Sequence, residues 1–558
     1  MLPSIPNRSG AARVPVMGFG GLERRVGAGN GTIRDMLNLT GADVPVLSSR
    51  PKRKTVTALT SPRGLFACGE TLFCCDGTTL YADGEAVAWA EDLPEAAQAA
   101  ALGDTDKAFA ALGERVLIWP DKAMARRREE TPEERNAGDG VPYSETPGEV
   151  SAAWELVPLA VSVTQSCTFS DGTYAGEAAE GNTILAADSA FDWADCFRVG
   201  DGVTISGAAD AENNKTAIVR EIAGNVLRFY ENSFTVNATA ASITVARAVP
   251  DLEFLCVQDN RVWGCRGDTI CCCKLGDPFN WNVFDGLSTD AWSVETGTPG
   301  DFTGCVSFMG YPIFFKEDRV FKVYGSRPSN YEVMSSATLG VLSGAANTLA
   351  VAGETLFYLS RAGFVRYNGG YPSAVDAPLA ARYTGGAAGS DGRRYFVSAL
   401  RADNVRELLV FDPESGLWTK EDALAVKGFA NVAGTLYAQT ATALLIVGNA
   451  ASPDESDFAS SVTFADFDSA GSRSFAAKYP VRLWLRLESA GAVTVQIAYN
   501  GGVWETAASI PAGEKRARYI PVPIRRCDRF GLKLATTGAW RLYGMEIETR
   551  AERTSRKA

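Results

Sequence analysis

Gly69-Glu-Thr-Leu-Phe73 recurs unchanged as Gly353-Glu-Thr-Leu-Phe357, and a degenerate copy stands at Gly434-Thr-Leu-Tyr437. Each copy is followed by a second apolar strand and a turn: Thr79-Leu-Tyr81, Phe364-Val-Arg-Tyr367 and Leu444-Leu-Ile-Val447. The same strand–turn–strand unit appears more loosely at Ala108–Ala111 with Val116–Trp119 and at Arg261–Gly264 with Thr269–Cys273. It appears again at Pro312–Phe315 with Val320–Tyr324, and at Tyr395–Ser398 with Glu407–Phe411. Units recurring every ~35–50 residues have the period of a propeller blade, because a small sheet with two apolar faces must pack on its neighbours. The expected fold is therefore all-β, a β-propeller of about six to seven blades.

Working outward, the repeat is interrupted once. Residues 125–150 are charged and rich in Pro and Gly, which reads as an exposed loop. Residues 151–249 form a strand-rich stretch with hairpin turns at Val199-Gly-Asp-Gly202 and Ala223-Gly-Asn225, expected to be a small inserted β-barrel or sandwich. The propeller then occupies 55–124 and 250–449, preceded by an extended N-terminal arm at 1–54. Residues 450–457 read as a linker and 458–558 as a β-sandwich-like module. In that module Arg482-Leu-Trp-Leu-Arg-Leu487 and Val493–Tyr499 alternate, and Asn500-Gly501 supplies a hairpin turn.

Composition narrows the chemistry. The 558 residues contain no His, so a Ser-His-Asp or Cys-His mechanism and imidazole ligation are both out of reach. Twelve Cys include the runs Cys74-Cys75 and Cys271-Cys272-Cys273, and none are three apart, so no C-x-x-C zinc spacing exists. Adjacent residues of a strand point to opposite faces, which favours buried thiols over a disulfide framework. Gly27-Ala-Gly-Asn-Gly31 lacks the Gly-Lys-Ser/Thr ending of a phosphate loop. Asp201, Asp268 and Asp277 lie in Gly-containing turns without completing a calcium loop. The expectation is a chain that is not an enzyme and has no cofactor and no metal. Neither a signal peptide nor an apolar run long enough for a membrane helix is expected.

Charge is uneven. The net is −12, yet residues 1–60 carry nine Lys/Arg against three Asp/Glu, and 511–558 carry twelve against five. Basic ends on an acidic body suit docking onto neighbours. The candidate docking residues are Arg50, Lys52, Arg53 and Lys54 near the amino end, and Lys515, Arg516, Arg518, Arg525 and Arg526 near the carboxyl end. Trp484 shares a strand face with Arg482 and Arg486, and with Tyr499, Trp504, Trp540 and Tyr543 it reads as core or subunit contact, the alternative being a carbohydrate platform.

Three stretches resemble the β-propeller tail proteins of tailed bacteriophages, of the tail-nozzle and packaged-DNA-stabilisation type. They are Gly20-Gly-Leu-Glu23 with Gly31–Leu39 running into Val44–Arg53, then Lys274-Leu-Gly-Asp-Pro-Phe-Asn-Trp-Asn282 with Val283-Phe-Asp285, and Gly310–Lys316 with Val320–Gly325. The resemblance implies a structural virion protein located in the tail and assembled in the host cytoplasm. Its expected partners are copies of itself (a hexamer), other tail or connector proteins, tail fibres, and DNA passing without sequence recognition. The alternatives are a tail-tip or fibre-like protein binding host glycan and, further off, a propeller glycosidase.

Overall fold

The computed structural model describes residues 12–25, 31–90, 102–129, 150–230, 232–448, 450–467 and 477–551. The described residues are all-β, their helices limited to short 3-10 turns such as Trp193–Asp195. No helix among them is long and apolar enough to cross a membrane. The chain divides into two compact units, Leu59–Ala346 and a second made of Met1–Ala58 with Asn347–Ala558.

In the first unit, four antiparallel sheets follow one another along the chain. Pro62–Cys68, Thr71–Asp76, Thr79–Ala82 and Glu85–Ala86 make the first. Ala108–Leu112, Arg115–Trp119, Ala123–Glu129 and Val150–Pro158 make the second, with Ala88–Trp89 added in parallel on its last strand. The third runs from Phe254–Gln258 to Trp292–Glu295 and the fourth from Gly304–Phe308 to Glu332–Ala337, each of four strands in chain order. The first strand of each sheet lies beside the first strand of the next. Apolar clusters fill the gaps between sheets. Phe73, Leu80, Val116 and Ile118 join the first two, Trp119, Val262 and Trp281 the second and third, and Trp263, Phe314 and Phe321 the third and fourth. Because the middle strands are buried on both faces, they read as unbroken apolar runs, as in Val116-Leu-Ile-Trp119 and Pro312-Ile-Phe-Phe315.

The second unit holds three more such sheets. They start at Ala350–Ala352, Tyr383–Ser390 and Val426–Val432. The last is completed on its outer side by Lys54–Ala58, which pairs with Ala443–Val447. The Gly-Glu-Thr-Leu-Phe copies occupy matching places, turning from first to second strand, with Gly69 at φ 58° and Gly353 at φ 59°, where a side chain would be strained. All seven hairpins of the sequence reading fall in separate sheets, six of four strands and one of five. A second use of glycine is close packing: a Cβ at Gly389 would sit 2.3 Å from Cβ of Phe429 on the next sheet.

Three boundaries differ from expectation. Ala123–Glu129 and Val150–Pro158 are strands of the second sheet, so the separate β-region begins near Val161; residues 130–149 of the expected loop lie outside the described residues. That region is one seven-stranded sheet, Val161–Arg247, curled around Trp193, Phe197, Phe229 and Phe234. The N-terminal segment is no free arm. Ala12–Val16, Leu39–Thr40 and Leu47–Ser49 join a sheet with Trp540–Ala551, Lys478–Ser489 and Gly513–Pro521. Ile33–Leu37 joins another with Ala459–Phe464, Phe530–Thr537, Val493–Tyr499 and Glu505–Ile510. Alternation explains both sheets: Leu483, Leu485 and Leu487 are buried and the residues between them are not.

Candidate interaction face of the C-terminal module

The outward side of the strand Lys478–Ser489 presents Arg482, Trp484, Arg486 and Glu488. Antiparallel register sets Trp484 opposite Tyr519 and Arg486 opposite Ala517, and the Trp484 and Tyr519 rings stand 5.8 Å apart at 52°. On the other flank, Trp484 lies opposite Glu546 and Arg482 opposite Glu548. Arg13 enters from the N-terminal strand, its guanidinium 5.6 Å from the Trp484 ring and 3.4 Å and 3.6 Å from Glu546 and Glu548. Tyr543 donates its hydroxyl to Glu488 at 2.9 Å and carries Lys515 over its ring at 3.8 Å. The face is thus a row of half-exposed rings held by cations. Arg486, Lys515, Arg516 and Arg518 have no carboxylate within ion-pair distance among the described residues. Rings and guanidinium groups together are the composition of protein-binding surfaces rather than of a solvated wall.

Two groups of expected docking residues go to different places. Arg50 and Arg53 are buried within the chain. Arg50 forms a two-pronged pair with Glu455 at 2.6 and 2.8 Å, bonds Asn38 at 2.8 Å, and stacks over Phe458 at 4.1 Å. Arg53 reaches Asp422 at 2.6 Å and Glu421 at 2.8 Å. Burial pulls its pKa down, but Glu421 and Asp422 outweigh that and hold it raised. Lys52 pairs with Asp457 at 2.7 Å, and Lys54 lies in the strand that completes the seventh sheet. So Arg50, Lys52 and Arg53 serve an internal joint, for which Glu455 and Asp457 supply the carboxylates of the first two and Glu421 with Asp422 those of the third; the stretch 450–457 is more than a linker. Lys515, Arg516 and Arg518 lie on the edge strand; Lys515 joins the face just described, Arg516 and Arg518 stand opposite Leu487 and Leu485 on the strand's other side, whereas Arg525 turns to Glu505 at 2.7 Å and Arg526 lies in the same exposed loop.

The aromatic set also divides. Trp540 is only 2% exposed and belongs to the interior. Tyr499 and Trp504 lie at the Asn500-Gly501 hairpin, away from Trp484 in register. Sequence reasoning missed Tyr519 and Arg13, because their approach to Trp484 depends on strand pairings over long separations. Only the alternation around Trp484 was readable locally.

A second constellation joins the Val161–Arg247 sheet to the third four-stranded sheet. Asp201, 1% exposed, accepts from Arg247 at 2.6 Å and from Asn280 at 3.0 Å, and Asn280 in turn bonds Asp277 at 2.7 Å and the Gly202 amide at 2.9 Å. The Arg198 and Arg247 guanidinium groups lie 4.0 and 4.8 Å from the Phe279 ring. The segment Lys274–Asn282 is therefore the seat of the inserted sheet. Asp268 salt-bridges Lys316 at 2.6 Å, so the three turn aspartates each hold a partner within the protein.

No family model and no curated protein matches this chain. Among solved structures, it is similar to an exo-β-1,3-galactanase from Phanerochaete chrysosporium at 11% identity, covering 69% of this chain and 99% of that one, with a TM-score of 0.15. An arabinoxylan arabinofuranohydrolase of glycoside hydrolase family 43 from Bacillus subtilis is similar at 8% identity, over 89% and 96% of the two chains, with a TM-score of 0.17. These neighbours correct one expectation: they are glycoside hydrolases, and the reading of the chain as a protein without catalytic activity is withdrawn. At such scores they carry no argument about what this chain acts on.

Proposed function

We propose that the chain is a structural component of a bacteriophage tail, of nozzle or connector type. In this reading the seven hairpin-bearing sheets form a β-propeller, and the Val161–Arg247 sheet and the C-terminal β-sandwich are its attachments. The observation that carries the reading is what the phage-like segments do. Arg50–Arg53 seats the N-terminal strands through Glu455, Glu421 and Asp422, and Lys274–Asn282 seats the inserted sheet through Asp201. A chain that devotes its most distinctive motifs to rigid joints, and leaves a ring-and-cation face outward, has the organisation of a part in a larger assembly. Copies arranged in a ring around the passing genome follow from the resemblance. The test is immunogold labelling of purified virions together with complementation of a gene deletion. Label on the tail, and tailless or non-ejecting particles without the protein, are expected. Infectious virions free of the protein would overturn the reading, as would specific glycan binding by a chain that labels only the fibre tips.

A further inference from the structure

The two units carry opposite charge. Leu59–Ala346 has 42 Asp/Glu against 20 Lys/Arg, a net of −22, and since the chain totals −12 the other unit carries +10. The positive unit exposes the ring-and-cation face, with Arg486 and Lys515 lacking acidic partners among the described residues. The negative unit exposes the converse. In the loop that follows the strand Glu177–Ala186, Asp188, Asp192 and Asp195 are exposed and have no cationic partner among the described residues. Apolar side chains accompany them, Leu185 at 38% and Val199 at 64% exposed.

We propose that copies of this chain join head to tail, the Trp484–Tyr519 face of one copy seating on the acidic loop Asp188–Asp195 of the inserted region in the next. The partner is a second copy because one chain supplies both halves of the complement: cations without acidic partners beside half-buried rings, and carboxylates without cationic partners beside exposed aliphatic groups. Two different patches give a heterologous contact, which propagates and closes into a ring where the rotation allows. The proposal rests on the reading of the chain as an assembling tail component, but the contact has its own test.

Native mass and sedimentation of the full chain should show higher oligomers at low salt that dissociate at high salt, since exposed charges are screened within ~8–10 Å at physiological ionic strength. Arg486→Glu with Lys515→Glu removes one half of the contact, and Asp188→Lys with Asp192→Lys and Asp195→Lys removes the other. Each variant alone should be monomeric, with association weakened at least about tenfold in affinity and the thermal unfolding profile unchanged. Mixed, they should form a one-to-one dimer that grows no further, because one intact half remains on each. A wild-type chain that stays monomeric at every salt concentration overturns the proposal, and so do oligomers indifferent to either variant or a mixture that fails to pair. Tail labelling with a monomeric chain would sink this contact alone; a ring absent from virions would sink the tail reading alone.

Discussion

At Asp201 a single carboxylate faces two guanidinium groups and an amide with almost no access to water. Burial raises its pKa, but Arg247 and Arg198 overcome that and hold it below the ordinary carboxylate range. Glu407, bonded by Arg24 at 2.6 Å and by the Tyr383 hydroxyl at 2.9 Å, and Glu455, bonded by Arg50, are lowered in the same way against burial. A folded-state value below the unfolded one adds stability that is complete above roughly pH 4–5 and is lost as the pH falls through the lowered values. Circular dichroism against pH should show a plateau near neutrality and an acid transition, which Asp201→Asn flattens. At neutral pH, Asp201→Asn leaves Arg247 buried without its counter-charge and should cost about 3–5 kcal/mol by denaturant unfolding. Gly389→Ala tests packing instead, and Cβ–Cβ crowding against Phe429 should cost about 1–3 kcal/mol.

Secondary elements divide into those readable locally and those that are not. Hairpins within a sheet were legible because Gly69, Gly353 and Gly434 mark tight turns and the flanking strands are apolar throughout. The outer strands were not. Glu85–Ala86 and Ser373–Ala374 are two residues long and exposed, with no pattern to detect. Charged Ala-Arg-Arg-Arg-Glu129 read as loop, yet it pairs along a buried neighbour, its Arg127 guanidinium 4.3 Å from the Trp154 ring. The N-terminal strands find partners more than 400 residues away, a relation no window can see. For that segment, Arg53→Met should strand Glu421 and Asp422 and cost about 3 kcal/mol, with earlier proteolysis near residue 50 as the readout. The inserted sheet is separable by contrast. Val161 and Arg247 lie opposite each other, so joining Leu159 to Pro250 should leave a chain that retains strand content and a cooperative melt. Persistent aggregation of that deletion would show the insert to be needed for folding.

For the whole molecule, the charge partition was half legible. Basic ends were plain from counting, but their roles were not, because Arg50 and Arg53 point inward while Lys515 and Arg516 point outward, and residue type alone does not separate them. Burial does. The Trp484 face was legible as a candidate and became specific only when strand register brought Tyr519 and Arg13 to it. Substituting Trp484→Ala should leave the melting profile nearly unchanged, since the ring lies on the outer side of its sheet, while weakening self-association measured by sedimentation. A large loss of stability would instead make Trp484 part of the interior.

Lys54–Ala58 completes a sheet whose other strands begin at Val426, and Ala12–Val16 waits for Trp540–Ala551. On a ribosome these leading strands emerge on the order of tens of seconds before their partners exist. Until then their backbone donors and acceptors are open edges, available to any passing strand. A nascent chain released early would expose them permanently, whereas a finished one conceals them. Closure of both sheets therefore waits on the synthesis of Ala443–Val447 and Trp540–Ala551.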